Sequence, residues 1–189
     1  MIRRNRSLQY TAWVLLTLSL AACSSIDLEE TIPLVFDLNG EWQINHELSD
    51  LPPDQRKMME QAQRRDMEHR PNSSNRAIRN AGSAMSFVNH DFPVLVANEM
   101  KIEQNADSMG IRYDKGAYRD VSWGYRERGL WEVTAGWSVE GNLVIYSETD
   151  DAEVTETYSL QDGRKRLVVV IQVDVDRENF IVTRVYDRG

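Results

Sequence analysis

The stretch Arg166 to Val175 reads RLVVVIQVDV, and its apolar residues Leu167, Val169, Ile171, Val173 and Val175 recur at every second position. Side chains alternate across an extended chain, so this period places all five on one face of a half-buried strand. Working outward, Phe180 to Asp187 follows across Glu178-Asn179, and Val154 to Leu160 precedes it across Asp162-Gly163. Short apolar or aromatic runs of the same kind return at Leu143 to Glu148, Leu130 to Ser138, Ala117 to Trp123, Gly110 to Asp114 and Met100 to Gln104. Asp150-Asp151, Gly141-Asn142, Gly124-Tyr125, Lys115-Gly116 and Asp107-Ser108 separate them with turn chemistry. With a first strand near Trp42, the pattern predicts a mainly β chain. It is an antiparallel meander of about eight or nine strands, built as a curled sheet or a closed barrel.

Upstream, Pro33 to Asp37 (PLVFD) and Glu41 to Asn45 (EWQIN) are strand-like on either side of Asn39-Gly40. That dipeptide suits a tight hairpin turn, and Gly40 equally suits the start of the first barrel strand. Ser49-Asp50-Leu51-Pro52-Pro53-Asp54 then has the prolines and capping acid of a helix start. A helix is expected over about 53–70, where Gln55 to Arg70 holds strong helix formers on a thin apolar face of Met58, Met59, Ala62 and Met67. The polar, Gly/Ser/Asn-rich stretch over about 71–84 reads as a mobile connection. Residues 33–189 together make one domain of ordinary size.

The N-terminus carries Arg3, Arg4 and Arg6 and then the apolar run Thr11 to Leu20 (TAWVLLTLSL). This is a signal-peptide layout, and the run is too short to cross a membrane, which needs about 20 apolar residues. Asn5-Arg6-Ser7 stands where the twin-arginine route places apolar residues, which favours the general secretory route. Leu20-Ala21-Ala22-Cys23 resembles the lipobox of bacterial lipoproteins. The resemblance implies cleavage between Ala22 and Cys23, with diacylglycerol on the Cys23 sulfur. Cys23 is the one cysteine in the chain, so it has no partner for an intramolecular disulfide. Ser24 follows where Asp would favour retention at the inner membrane, so the resemblance implies the outer membrane; the periplasmic face is the expected side. Ser24 to Ile32 reads as a short acidic tether between lipid and domain.

Removing Arg3, Arg4 and Arg6 takes the formal charge from −8 to −11. Nucleic acid needs a sustained basic footprint, so it is not an expected partner for such a chain. Asp54 to Arg79, with seven basic and four acidic residues, is the single basic island, and Arg64 and Arg65 at its centre are candidates for an interaction surface.

Gly40-Glu41-Trp42 looks like the G-x-W of lipocalins and the wider calycins. In those barrels the tryptophan plugs one end and a late arginine packs across it, a part open here to Arg184 or Arg188. The mature chain is also similar to small proteobacterial envelope proteins that begin with such a strand and end in Val-Tyr-Asp-Arg, here Val185 to Arg188. The helix-like segment departs from lipocalins by following the first strand.

The sequence carries no recognisable catalytic signature. His46, His69 and His90 are dispersed, so no zinc site or other metal is expected, nor any cofactor. Asp174-Val-Asp176-Arg-Glu178 lacks the glycine of a calcium loop. Glu132 with Glu148 or Glu156 reads as chance pairing among thirty acids. Trp123, Tyr125, Trp131 and Trp137 form an aromatic cluster that is the leading candidate for a ligand or interaction surface, set against ordinary core packing. Two functions remain. One is a non-enzymatic interaction or structural module that meets an envelope protein, peptidoglycan or lipid. The alternative is a lipocalin-like carrier of a small hydrophobic ligand or lipid.

Overall fold

A computed structural model describes residues 27–53, 64, 88–175 and 178–189. Its strands are β1 (Gly40–Ile44), β2 (Glu99–Gln104), β3 (Ser108–Tyr113), β4 (Tyr118–Ser122) and β5 (Gly124–Arg128), then β6 (Trp131–Trp137), β7 (Leu143–Glu148), β8 (Ala152–Gln161), β9 (Arg166–Val175) and β10 (Glu178–Arg188). They form one sheet in the order β4-β3-β2-β1-β10-β9-β8-β7-β6-β5. Every pairing is antiparallel; each strand pairs with the next in sequence except β4 and β5, which stand at the two edges of the sheet, and β1 pairs with β10 to join the first strand to the last. β9 is the spine, paired along its whole length with both β8 and β10.

The sheet is rolled into a barrel. β4 and β8 stand six places apart in the strand order, about 29 Å in a flat sheet at the usual strand spacing. Yet the Arg119 guanidinium on β4 touches the Glu156 carboxylate on β8. Alternation explains what fills the inside. Leu167, Val169, Ile171, Val173 and Val175 are all buried, as the period in RLVVVIQVDV requires. They join Trp42, Ile102, Ile111, Trp137, Ile145 and Tyr158 in one continuous core.

The barrel has two distinct ends. One carries the start of β1 and the turns at 105–107, 138–142 and 162–165. The other carries the turns at 129–130 and 149–151 and the segment 88–98, which holds a helical turn at 88–91 and a 3-10 turn at Pro93–Leu95.

The mainly β, antiparallel expectation holds, with ten strands instead of eight or nine. The added one is β5, placed where Gly124-Tyr125 was expected to be only a turn. Tyr125 to Arg128 are all exposed on this edge strand, so no apolar period marks it. Pro33 to Asp37 is not a strand. Phe36 N donates to Pro33 O at 2.9 Å, and Asp37 Oδ1 accepts from the backbone and side chain of Asn39, so the stretch is spent on turns. Gly40 accordingly opens β1 and no first hairpin forms. The helix expected over about 53–70 and the connection over about 71–84 lie outside the described residues, except that Pro53 is described and that Arg64 is helical and exposed.

Candidate functional site

One end of the barrel is plugged. Trp42 is buried on β1, and its Nε1 donates to Leu38 O at 2.9 Å. The Arg188 guanidinium lies over the Trp42 ring, 4.4 Å from the centroid. Its Nη1 donates to Asn39 O and its Nη2 to Asp37 O. Gly40, at φ +133°, makes room for it, since a Cβ there would stand 3.3 Å from Arg188 Nη1. Trp123 and Trp137 pack edge to face beside this plug, 4.6 Å between centroids.

Arg184 has a different place. It is buried and donates to Asp50 O and Ala97 O, both at 2.9 Å. Tyr186, whose phenol burial pushes up to about 12, donates to Ala97 O and Val94 O. These two side chains stitch β10 to segments 49–50 and 94–97, so they hold the fold, although Arg184 Nε is left buried without a hydrogen-bond partner.

The opposite end has an ionic interior. Alternation along β4 turns Arg119 and Val121 inward, and along β8 it turns Val154, Glu156 and Tyr158 inward. Arg119 and Glu156 form a fully buried ion pair, with Tyr158 OH donating to Glu156 Oε1 at 3.0 Å. Burial is the largest single influence on the Arg119 guanidinium and would pull it down, but the Glu156 charge, the Tyr113 and Tyr158 phenols and the hydrogen bond to Glu156 together outweigh it, and the net shift is upward. The phenols of Tyr113 and Tyr158 are pushed up, mainly by burial and then by Glu156. The Arg119 guanidinium also lies 4.8 Å from the Phe92 ring centroid.

A cavity of about 290 Å3 opens beside this pair, between edge strand β4 and the β5–β6 turn. Its polar lining is Arg119, Ser147, Arg128 and Asp91, and its apolar lining includes Phe92, Leu130, Trp131 and Val133. Trp131 packs edge-on against Phe92, 4.9 Å between centroids, and donates from Nε1 to Asp91 Oδ2 at 2.8 Å. Two buried polar atoms on the wall, Arg119 Nε and Ser147 Oγ, have no hydrogen-bond partner. Buried polar groups are nearly always paired, so these two mark where a water or a ligand's polar atom belongs. Arg128 at the rim is drawn down by partial desolvation and then by the Arg119 charge. Arg119 is neutralised by Glu156, so the site is suited to hydrogen bonding more than to bare charge capture.

The aromatic cluster named from sequence is therefore divided. Trp123 and Trp137 pack on each other at the plugged end, Trp131 lines the cavity, and Tyr125 is half exposed on β5. Arg65, Ala22, Cys23 and Ser24 lie outside the described residues, and Arg64 is exposed. Glu132 lies opposite Glu148 in the ladder, while Glu156 faces the interior and pairs with Arg119. Sequence reasoning missed Arg119 and Ser147, and it named Glu156 only as a chance partner of Glu132. The signal was present in the period: each is a polar residue at an inward position of its strand. Among the described residues, no group of three or more His, Cys, Asp or Glu could hold a metal, and no helix is long and apolar enough to cross a membrane.

No protein-family model and no curated protein sequence matches the chain. Solved structures with a related course include the REP1-NXSQ fatty acid transporter, at 13% identity and a TM-score of 0.48 over 81% of this chain and 96% of that one. A secretory abundant heat soluble protein from Ramazzottius varieornatus matches at 13% identity and a TM-score of 0.45, over 80% and 95%. A luciferase domain from the dinoflagellate Lingulodinium polyedrum matches at 12% identity and a TM-score of 0.47, over 87% of this chain and 46% of that one. Their activities differ, and none is carried over to this chain.

Proposed function

We propose that this protein is a lipid-anchored envelope protein whose barrel binds a small amphipathic molecule. The head group accepts hydrogen bonds from Arg119 and Ser147, and the apolar part lies against Phe92, Trp131 and Val133. One observation carries the binding reading: two buried, unpartnered polar atoms, Arg119 Nε and Ser147 Oγ, line the same cavity. Its volume of about 290 Å3 stands at the lower edge of the range for ligand sites, about 300–1,000 Å3. That favours a small ligand, or the head of a longer one. The anchor is supported by Leu20-Ala21-Ala22-Cys23 and by the lone cysteine. Localisation at the outer membrane is supported by Ser24 on the same resemblance.

Native mass spectrometry of the protein from its own host, followed by solvent extraction, tests the binding. A reproducible extractable mass is expected. It should be lost in Ser147→Leu, which fills the cavity, and weakened in Ser147→Ala, with both variants folded. A clean apo mass in the native protein overturns the carrier. It would favour a non-enzymatic interaction module, a reading supported by the largely filled interior of the described barrel.

A further inference from the structure

The N-terminal segment is fastened to the plugged end of the barrel. Glu29 N donates to Trp137 O at 2.9 Å and Trp137 N donates to Glu29 O at 2.8 Å, an antiparallel bridge beyond the sheet's own ladders. Gly136 lets the segment seat so closely, since a Cβ there would lie 2.7 Å from Glu29 O and 2.8 Å from Leu28 Cβ. Phe36 then packs edge-on against Trp137, 6.2 Å between centroids. Cys23 precedes Asp27 by four residues, so even a fully extended chain keeps it within about 14 Å of Asp27. Anything attached to Cys23 is held at this end.

The same end shows aliphatic tips from two separate loops. Leu34 and Val139 are fully exposed, at 104% and 94%, and Val35 is 74% exposed. Both loops border the exit of the chain: Phe36, next to Val35, packs on Trp137, and Trp137, which pairs with Glu29, lies two residues before Val139. Arg164 and Lys165 are exposed on the neighbouring 162–165 turn. Asp27, Glu29, Glu30, Asp37, Glu140 and Asp162 are exposed at this end as well, so charge alone does not distinguish the two ends; what the cavity end has of its own is a continuous cross-strand row of acids. Glu127, Glu132, Glu148, Glu153 and Asp174 stand directly across from one another on β5 to β9. That row repels anionic lipid, and the exposed Leu130 lies beside it.

We infer that the plugged end, through Leu34, Val35 and Val139, docks on the lipid bilayer that carries the anchor, so that the cavity opens away from the membrane. The inference rests on the reading of Cys23 as lipidated. It fixes the orientation of the barrel, which an anchor on a free tether would not.

The test uses the full-length chain purified from its own membranes and reconstituted in vesicles of phosphatidylethanolamine and phosphatidylglycerol. Leu34→Cys, Val139→Cys and Leu130→Cys are made separately and spin-labelled, a thioether-blocked Cys23 leaving the new thiol as the one to react. Labels at 34 and 139 are expected to lose access to a water-soluble nickel complex and gain access to oxygen, while the label at 130 stays open to nickel. Equal nickel access at all three positions on protein with a lipidated Cys23 peptide overturns the docking face and leaves the anchor standing. An unmodified Cys23 peptide, with the protein washed off the membranes, overturns both.

Discussion

Arg119 and Glu156 make the largest single commitment in the interior. Two charges leave water together, and each is tolerable only because the other is there. Arg119→Met should therefore lower stability by about 3–5 kcal/mol, since it strands a buried carboxylate. Adding Glu156→Gln should recover most of that loss, because the amide still accepts from Tyr158 and carries no charge. Urea unfolding of the two variants decides it, and equal midpoints for single and double variants would refute the argument. At this scale the plug was partly legible in the sequence. Gly40, Trp42 and a late arginine were singled out, and contact chooses Arg188, which sits over the ring, while Arg184 turns to Asp50 and Ala97. Glu156 was not legible as special among thirty acids. Its partner is 37 residues away in sequence, and no local pattern announces a pairing across a barrel interior.

At the scale of elements, the acidic row from Glu127 to Asp174 is a cost built into the sheet. Like charges directly opposite one another destabilise a ladder by a few tenths to about 1 kcal/mol. Glu148 has Glu132 on one side and Glu153 on the other. Glu148→Gln is expected to raise the melting temperature at low salt, with Tyr146 OH still able to donate to the new amide oxygen as it does to Glu148 Oε2. Added salt should close the gap between variant and wild type, because screening removes the same repulsion. A salt-independent difference would assign the effect to something else. Strand identity followed the strength of the period. β9 was legible because it is buried along one whole face. β5 was not, because an exposed edge strand needs no apolar residues, and its Glu and Arg are what keeps such an edge from pairing with another chain. Pro33 to Asp37 failed in the opposite way, being apolar enough for a strand but tied into turns by Asp37 and Asn39.

The whole molecule places three tyrosines inside one barrel, and their phenols all resist ionisation because burial penalises the anion. In the unfolded chain they ionise near pH 10. Above that pH the unfolded state holds fewer protons than the folded one, so stability falls as pH rises from about 10 toward the folded values, by as much as about 1.4 kcal/mol per pH unit for each tyrosine. Alkaline titration followed by circular dichroism should show cooperative unfolding. Tyr113→Phe should move the midpoint upward, and an unchanged midpoint would remove Tyr113 from the account. The sequence by itself determined the mainly β class, the antiparallel meander, the position of most strands and the tryptophan on the first one. These depend on period, turn residues and composition, which act over a few neighbouring residues. Only the tertiary structure decided that the sheet rolls far enough for β4 to meet β8, that Arg119 and Glu156 neutralise one another, that the cavity lies at one end, and that the N-terminal segment is fastened at the other. Each of these depends on residues far apart in the chain arriving at one place, and the closure of the sheet, which no local pattern encodes, is what brings them together.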